Sequence, residues 1–213
     1  RPATGDWTTA ANWTNGIPNA PDAYAEFDSG AAVTLGGSAT VGTLILNSAS
    51  AITLNGATLH LSSTHGPAQI DVYSGSHVIG STLAAGSDVA IYVAAGAVLT
   101  LGPLNIAAGV HVLKYGNGTL IFGGPINAGA GSVLDLDGGN AKLDADAGPD
   151  AIVNVTGHVT FITSQDIAQL TISGAGSAIL LPTTDNVRVR GRSVASCGIL
   201  YMTTQALVWQ SSN

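Results

Sequence analysis

The chain has 213 residues, of which 46% are hydrophobic and only 9% charged, with 6 Lys and Arg against 13 Asp and Glu and a net charge of −7. Against the roughly 25% charged residues of an ordinary globular domain, that deficit leaves little repulsion between copies, and so few cations exclude a nucleic-acid binder, which needs clustered Lys and Arg to displace phosphate counterions. The single cysteine, Cys197, excludes an internal disulfide framework and a four-cysteine zinc site; it reads as a small buried thiol, with a bridge between subunits as the alternative.

Residues 1–31 differ from everything after them. Trp7, Trp13, Tyr24 and Phe27 crowd this segment, and Pro18 and Pro21 keep it from forming a long helix. A β-solenoid must cover its first coil with something apolar, so the segment is expected to be an N-terminal cap, available also for strand exchange. An aromatic platform for carbohydrate is the alternative reading. The chain starts at Arg1 without a basic and apolar leader, which reads as a processed, exported product.

From Val33 onward a period of two begins: Val33-Thr-Leu35, Leu44-Ile-Leu46, Ile52-Thr-Leu54, Leu59-His-Leu61, Ile70-Asp-Val72, Leu99-Thr-Leu101 and many others are short strands with one apolar row. Residues 89–113 are uncharged and apolar, but Gly96, Gly102-Pro103, Asn105 and Gly109 cut them into strand lengths, so no membrane span is expected. Taking Ile52, Asp71, Ile91, Val112, Leu134, Val153, Thr171 and Arg188 as one column gives steps of 17 to 22 residues, close to one turn of a solenoid. The fold predicted is all-β, a single right-handed parallel β-helix of about eight coils, with a cap at 1–31, the helix at 32–190 and further strands at 191–213. Ile91, Val112, Leu134 and Val153 are expected to face inward, and His60 and His111 outward.

The stretch Val110–Gly124 shows the unit most clearly: two apolar strands around a corner where Gly116, Asn117 and Gly118 tolerate left-handed backbone. Its Leu113-Lys114, Gly116 and Gly118-Thr119-Leu120 resemble the repeat of secreted autotransporter passengers, in which that pattern marks one coil of a β-helix. Asp6-Trp7, Asn12-Trp13, Gly16, Pro18, Asp22 and Phe27 are similar to the opening of bacterial exported surface proteins built from β-strand repeats. The resemblance implies a solenoid and an extracellular or cell-surface location, and it carries no known chemistry.

Candidate chemistry is sparse. Asp135, Asp137, Asp144, Asp146 and Asp150 form the densest acidic cluster, and Asp144, Asp146 and Asp150 have the alternate spacing of a calcium loop. The helix-loop-helix pattern fails, because Pro149 stands at position six and Val155 at position twelve. Paired carboxylates also serve glycoside hydrolysis, but no accompanying His and Arg constellation is present, and His60, His65, His77, His111 and His158 are scattered. Three sequons begin at Asn12, Asn117 and Asn154.

Late in the chain, Arg188-Val-Arg190-Gly-Arg192 puts Arg188 and Arg190 on one side of a strand, and Ile199–Met202 and Leu207–Trp209 read as two more strands.

Three functional classes follow. The first is a structural subunit of an extracellular filament or surface layer that assembles with itself head to tail by strand addition, using Trp7, Trp13, Tyr24, Phe27, Arg188, Arg190, Tyr201 and Trp209. The second is a surface adhesin or passenger fragment, with surface glycans among its partners. The third is a polysaccharide-active β-helix enzyme. Neither a catalytic centre nor a cofactor is expected.

Overall fold

The computed structural model describes residues 5–180, 186–191, 194–196, 199–202 and 206–209. The readings of Cys197 and Arg192 lie outside them, as do the side chains of Tyr201 and Trp209. Within them the chain is all-β apart from one 3-10 turn, Ala10–Asn12.

Each coil passes through three sheets in turn. A ten-stranded sheet runs from Gly5–Asp6 to Ile199–Met202, a five-stranded sheet from Ala39–Val41 to Ile126–Ala128, and a nine-stranded sheet from Tyr24–Phe27 to Val194–Ser196. Neighbouring strands are parallel and come from successive coils, so the rest of each coil serves as the long crossover that parallel pairing requires. The product is a β-solenoid of about eight turns, the architecture that the sequence period predicts.

Alternation sets which row faces the core. Val89, Val112, Leu134, Val153 and Leu170 pair one above another, and each is at most 2% exposed. Burying a side chain of this kind contributes ~1.5–3 kcal/mol relative to leaving it in water.

The column proposed from sequence mixes faces. Ile91 is buried, but it pairs with Ile70 and Lys114, two positions along from the Val112 row. Asp71 and Thr171 point outward on the same sheet, Ile52 belongs to the ten-stranded sheet, and Arg188 lies on the three-stranded sheet described below. All three sides use the same Val, Ile and Leu alternation, so the period is legible while its phase is not. Along the nine-stranded sheet the true step varies between 17 and 27 residues, as in Val153 to Leu170 and Asn47 to Ser74.

Residues 5–27 both cover the first coil and belong to it. Gly5–Asp6 pairs with Val33–Thr34, and Tyr24–Phe27 pairs with Thr43–Leu46. Trp7 and Phe27 are fully buried, with ring centroids of Trp7 and Trp13 4.8 Å apart and those of Trp13 and Phe27 5.6 Å apart. The Trp7 indole donates to the Pro18 carbonyl at 3.0 Å and the Trp13 indole to the Trp7 carbonyl at 2.7 Å, so both polar edges are satisfied.

One side of the prism is interrupted. The five-stranded sheet stops at Ile126–Ala128, and the same side resumes one coil later as a three-stranded sheet of Gln165–Ile167, Asn186–Val189 and Ala206–Trp209. The intervening coil crosses this side as the loop 144–151, where Gly148 has φ +88° and Pro149 has no N–H to give a ladder. Gln165, 2% exposed, bridges the gap: its Oε1 accepts from the Ala147 N–H at 3.0 Å and its Nε2 donates to the Ala145 carbonyl at 3.0 Å. A side-chain amide thus stands in for the missing strand.

Candidate functional site

The unexpected core residue is Lys114. Counting by twos from Val112 carries it inward, and it is fully buried. Its Nζ donates to the carbonyls of Gly116 at 2.9 Å, Gly118 at 3.0 Å and Gly138 at 2.5 Å, three acceptors for three N–H bonds. The glycine corner makes this cage possible: Gly116 has φ +83°, and a Cβ there would lie 2.4 Å from the Val93 carbonyl oxygen. Burial pulls the Lys114 ammonium down to about 8, with the Asp137 charge acting the other way. The arrangement ties one corner to the next coil, and the buried cage leaves no room for a substrate.

His77 is also internal, at 1% exposure. Its Nδ1 accepts from the Ile52 N–H at 3.1 Å and its Nε2 faces the Ser74 carbonyl at 2.6 Å. A backbone donor on Nδ1 assigns the proton to Nε2, which makes the ring neutral. Burial lowers its pKa, opposed by the Ser74 carbonyl. Like Lys114, His77 sits on the inward phase of its strand, two positions before Ile79, a signal the sequence already held.

A polar cluster closes an exposed corner. Asp22 accepts from the Ser63 hydroxyl at 2.8 Å, the Thr64 N–H at 2.9 Å and the Thr64 hydroxyl at 2.5 Å, and His65 Nδ1 lies 3.3 Å from it. These bonds, the Thr64 hydroxyl first, hold the carboxyl well below its usual range. The combination of acid, imidazole and hydroxyl suggests nucleophilic catalysis, but Thr64 and Asp22 both face the same ring nitrogen. A relay needs the two opposite nitrogens; this one fastens a loop.

The acidic residues expected to cluster are spread over two sides. Asp135 accepts from the Asn154 amide at 2.7 Å and lies 3.7 Å from His111, and Asp137 accepts from the Thr156 hydroxyl. Asp146 accepts from the Gly148 N–H at 3.0 Å and the Asp166 N–H at 2.9 Å, shaping the loop that replaces a strand. Among the described residues, no three His, Cys, Asp or Glu side chains gather as metal ligands.

Of the expected assembly residues, Trp7, Trp13 and Phe27 form the aromatic cover, and Tyr24 is exposed with its hydroxyl donating to Glu26 at 2.7 Å. Arg190 makes a two-pronged pair with Asp166, with Nε donating at 2.7 Å, and Arg188 sits opposite Asp166 in register. Tyr201 and Trp209 lie on strands in register with Ile179 and Val189. Of the sequon residues, Asn12 is engaged with the Asp6 carbonyl and Asn154 with Asp135, while Asn117 is exposed at the glycine corner. His60 and His111 face outward as expected.

One outer face collects residues that sequence position does not group. Four of the five tyrosines, Tyr24, Tyr73, Tyr92 and Tyr115, lie on the outside of the nine-stranded sheet. Tyr92 pairs with Tyr115 and with Asp71 on either side, and ring centroids are 5.8 Å apart for Tyr73 and Tyr92 and 5.2 Å for Tyr92 and Tyr115. Tyr73 reaches this stack through an irregularity: Leu46 pairs with Val72 but Asn47 with Ser74, so Tyr73 is the extra residue of a bulge. Among the described residues no helix is long and apolar enough to cross a membrane. Comparison with protein families, curated proteins and solved structures finds no match to this chain.

Proposed function

We propose that the chain is the solenoid body of an exported bacterial surface protein, a rigid scaffold that binds through its long side faces, in line with the adhesin reading of the sequence. The observation that carries this is the covering of two of the three sheet edges at the N-terminal end. Trp7, Trp13 and Phe27 pack against the chain's own core. The Asn12 amide donates to Asp6 at 2.8 Å, Asn19 accepts from the Thr40 N–H at 2.9 Å, and Ala20 donates to the Thr40 carbonyl at 2.9 Å, which covers the first strand of two sheets. Blocking an edge in this way guards against pairing with other chains. The surface location is supported by the sparse charge and by the resemblance of the Lys114 repeat to secreted passengers.

Light scattering on the purified chain over a wide concentration range tests the reading. A single-chain mass at every concentration is expected, and open-ended growth overturns it. A second reading, the filament or surface layer built head to tail, draws on the one N-terminal edge that is not covered. Thr43 donates to the Ala23 carbonyl, so parallel alternation turns the backbone of Tyr24 and Glu26 away from the stack, where a strand of another copy could add. A polysaccharide-active enzyme gains no support from the Asp22 corner or from the dispersed acidic residues.

A further inference from the structure

We infer that the tyrosine face of the nine-stranded sheet is a docking strip for a basic polypeptide segment lying along the solenoid axis. The inference rests on the scaffold reading, and it adds the chemistry of the partner. One outward row of this sheet runs Glu26, Ile45, Asp71, Tyr92, Tyr115 through successive coils, and Asp137 follows just past the end of the next strand, its N–H donating to the Lys114 carbonyl. Exposed Tyr24 and Tyr73 flank it, at 55% and 48%, and Tyr115 is 38% exposed.

Charge complementarity selects the occupant. Asp71 is half-buried, carries no hydrogen bond or ion pair among the described residues, and is raised in pKa by desolvation. Its charge raises Tyr73, two residues along the same strand. Among the described residues no Lys or Arg side chain faces this strip: Lys114 points into the core, Lys142 lies on the ten-stranded sheet, Arg188 lies on the three-stranded one, and Arg190 just past it pairs with Asp166. His111 lies beside Asp135, at the sheet's other margin.

An unpaired carboxylate among aromatic rings is a counter-ion position, and a guanidinium stacks on a ring while pairing with a carboxylate. A neutral glycan is the weaker candidate, because the rings are tilted 55° and 47° to one another and form no flat platform. Spacing also fits: Glu26 and Asp71 are two coils apart, about 9.6 Å at ~4.8 Å per coil, and side chains three residues apart on a polyproline-type segment are about 9.3 Å apart.

The probe is a synthetic peptide of four Arg-Pro-Pro repeats, with a citrulline counterpart of the same shape and no charge. Calorimetric titration is expected to show the arginine peptide binding at least tenfold more tightly than the citrulline one. Asp71→Asn and Tyr73→Ser should each weaken it at least fivefold, and Asp144→Asn with Asp146→Asn, on another side, should leave it unchanged. Circular dichroism confirms that each variant is folded. Equal binding of both peptides, equal loss in the distant variant, or tight binding of a neutral oligosaccharide lost in Tyr73→Ser overturns the inference. Light scattering on the same samples keeps the two ideas apart. Polymers that bind the peptide sink the scaffold reading and leave the docking strip standing, and monomers that ignore it do the reverse.

Discussion

The Lys114 ammonium lies 2.5 Å from the carbonyl oxygen of Gly138, on the corner of the next coil. A long cationic side chain therefore runs through the interior and ends under a corner, replacing an apolar contact between coils with charge-assisted hydrogen bonds. Lys114→Met keeps the volume and removes every donor to three carbonyls, so it should cost about 3 kcal/mol or more in urea unfolding. An unchanged midpoint shows that water replaces the ammonium.

The same group makes stability depend on alkali. Its folded pKa of about 8 is below the ordinary 10.5, so between those values the unfolded chain binds more protons. Stability then rises with pH across that window, by at most about 1.4 kcal/mol per unit. Comparing wild type with Lys114→Met from pH 8 to 9.5, below the tyrosine range, isolates the slope, which should vanish in the variant.

His77 gives the opposite flank. Its pKa is lowered in the folded chain, so its contribution is complete above the ordinary histidine value of about 6.5 and is lost as pH falls through the lower folded value. Protonation also takes the acceptor away from the Ile52 N–H. Thermal melts of wild type and His77→Gln between pH 7 and 5 should converge at the acid end; parallel curves argue that the ring titrates normally.

Val112 and His111 are neighbours with opposite tolerance. Val112→Asp places an unpaired charge in a dry row between Val89 and Leu134 and should cost about 4 kcal/mol or more. His111→Asn changes an exposed side chain and should stay within about 0.5 kcal/mol. Chemical denaturation of the pair measures which strand phase is correct.

Gln165→Ala leaves the Ala147 N–H and the Ala145 carbonyl without their partner. A loss of about 2 kcal/mol is expected, with the Ala147 amide exchanging faster before any global change. Protection that drops evenly over all coils would contradict the bridging role.

The strands and the coil period were legible because alternation of apolar residues is a local signal, whereas the stacking of one strand on the next was not. Lys114 and His77 were legible in principle too, each two positions from an inward apolar neighbour, but a polar residue on an apolar phase reads as a mismatch until its partners are known. One partner of each comes from another coil, Gly138 for Lys114 and Ile52 for His77, 24 and 25 residues away in sequence. The tyrosine face was not legible. Tyr73, Tyr92 and Tyr115 meet only through the register of three coils and the bulge at Tyr73, and neither is written in any one strand.

The gap in the third side at residues 144–151 bears on how the rod comes apart. A solenoid transmits order only between adjacent turns, and here one of three backbone ladders is cut, with the Gln165 amide and the Asp166 N–H to Asp146 bond crossing the break. The coils before the loop and those after it stay joined by the other two ladders, so this side is where their coupling is thinnest. Under tension along its axis the rod is expected to open first at the Gln165 bridge, ahead of the N-terminal coils that carry the tyrosine strip.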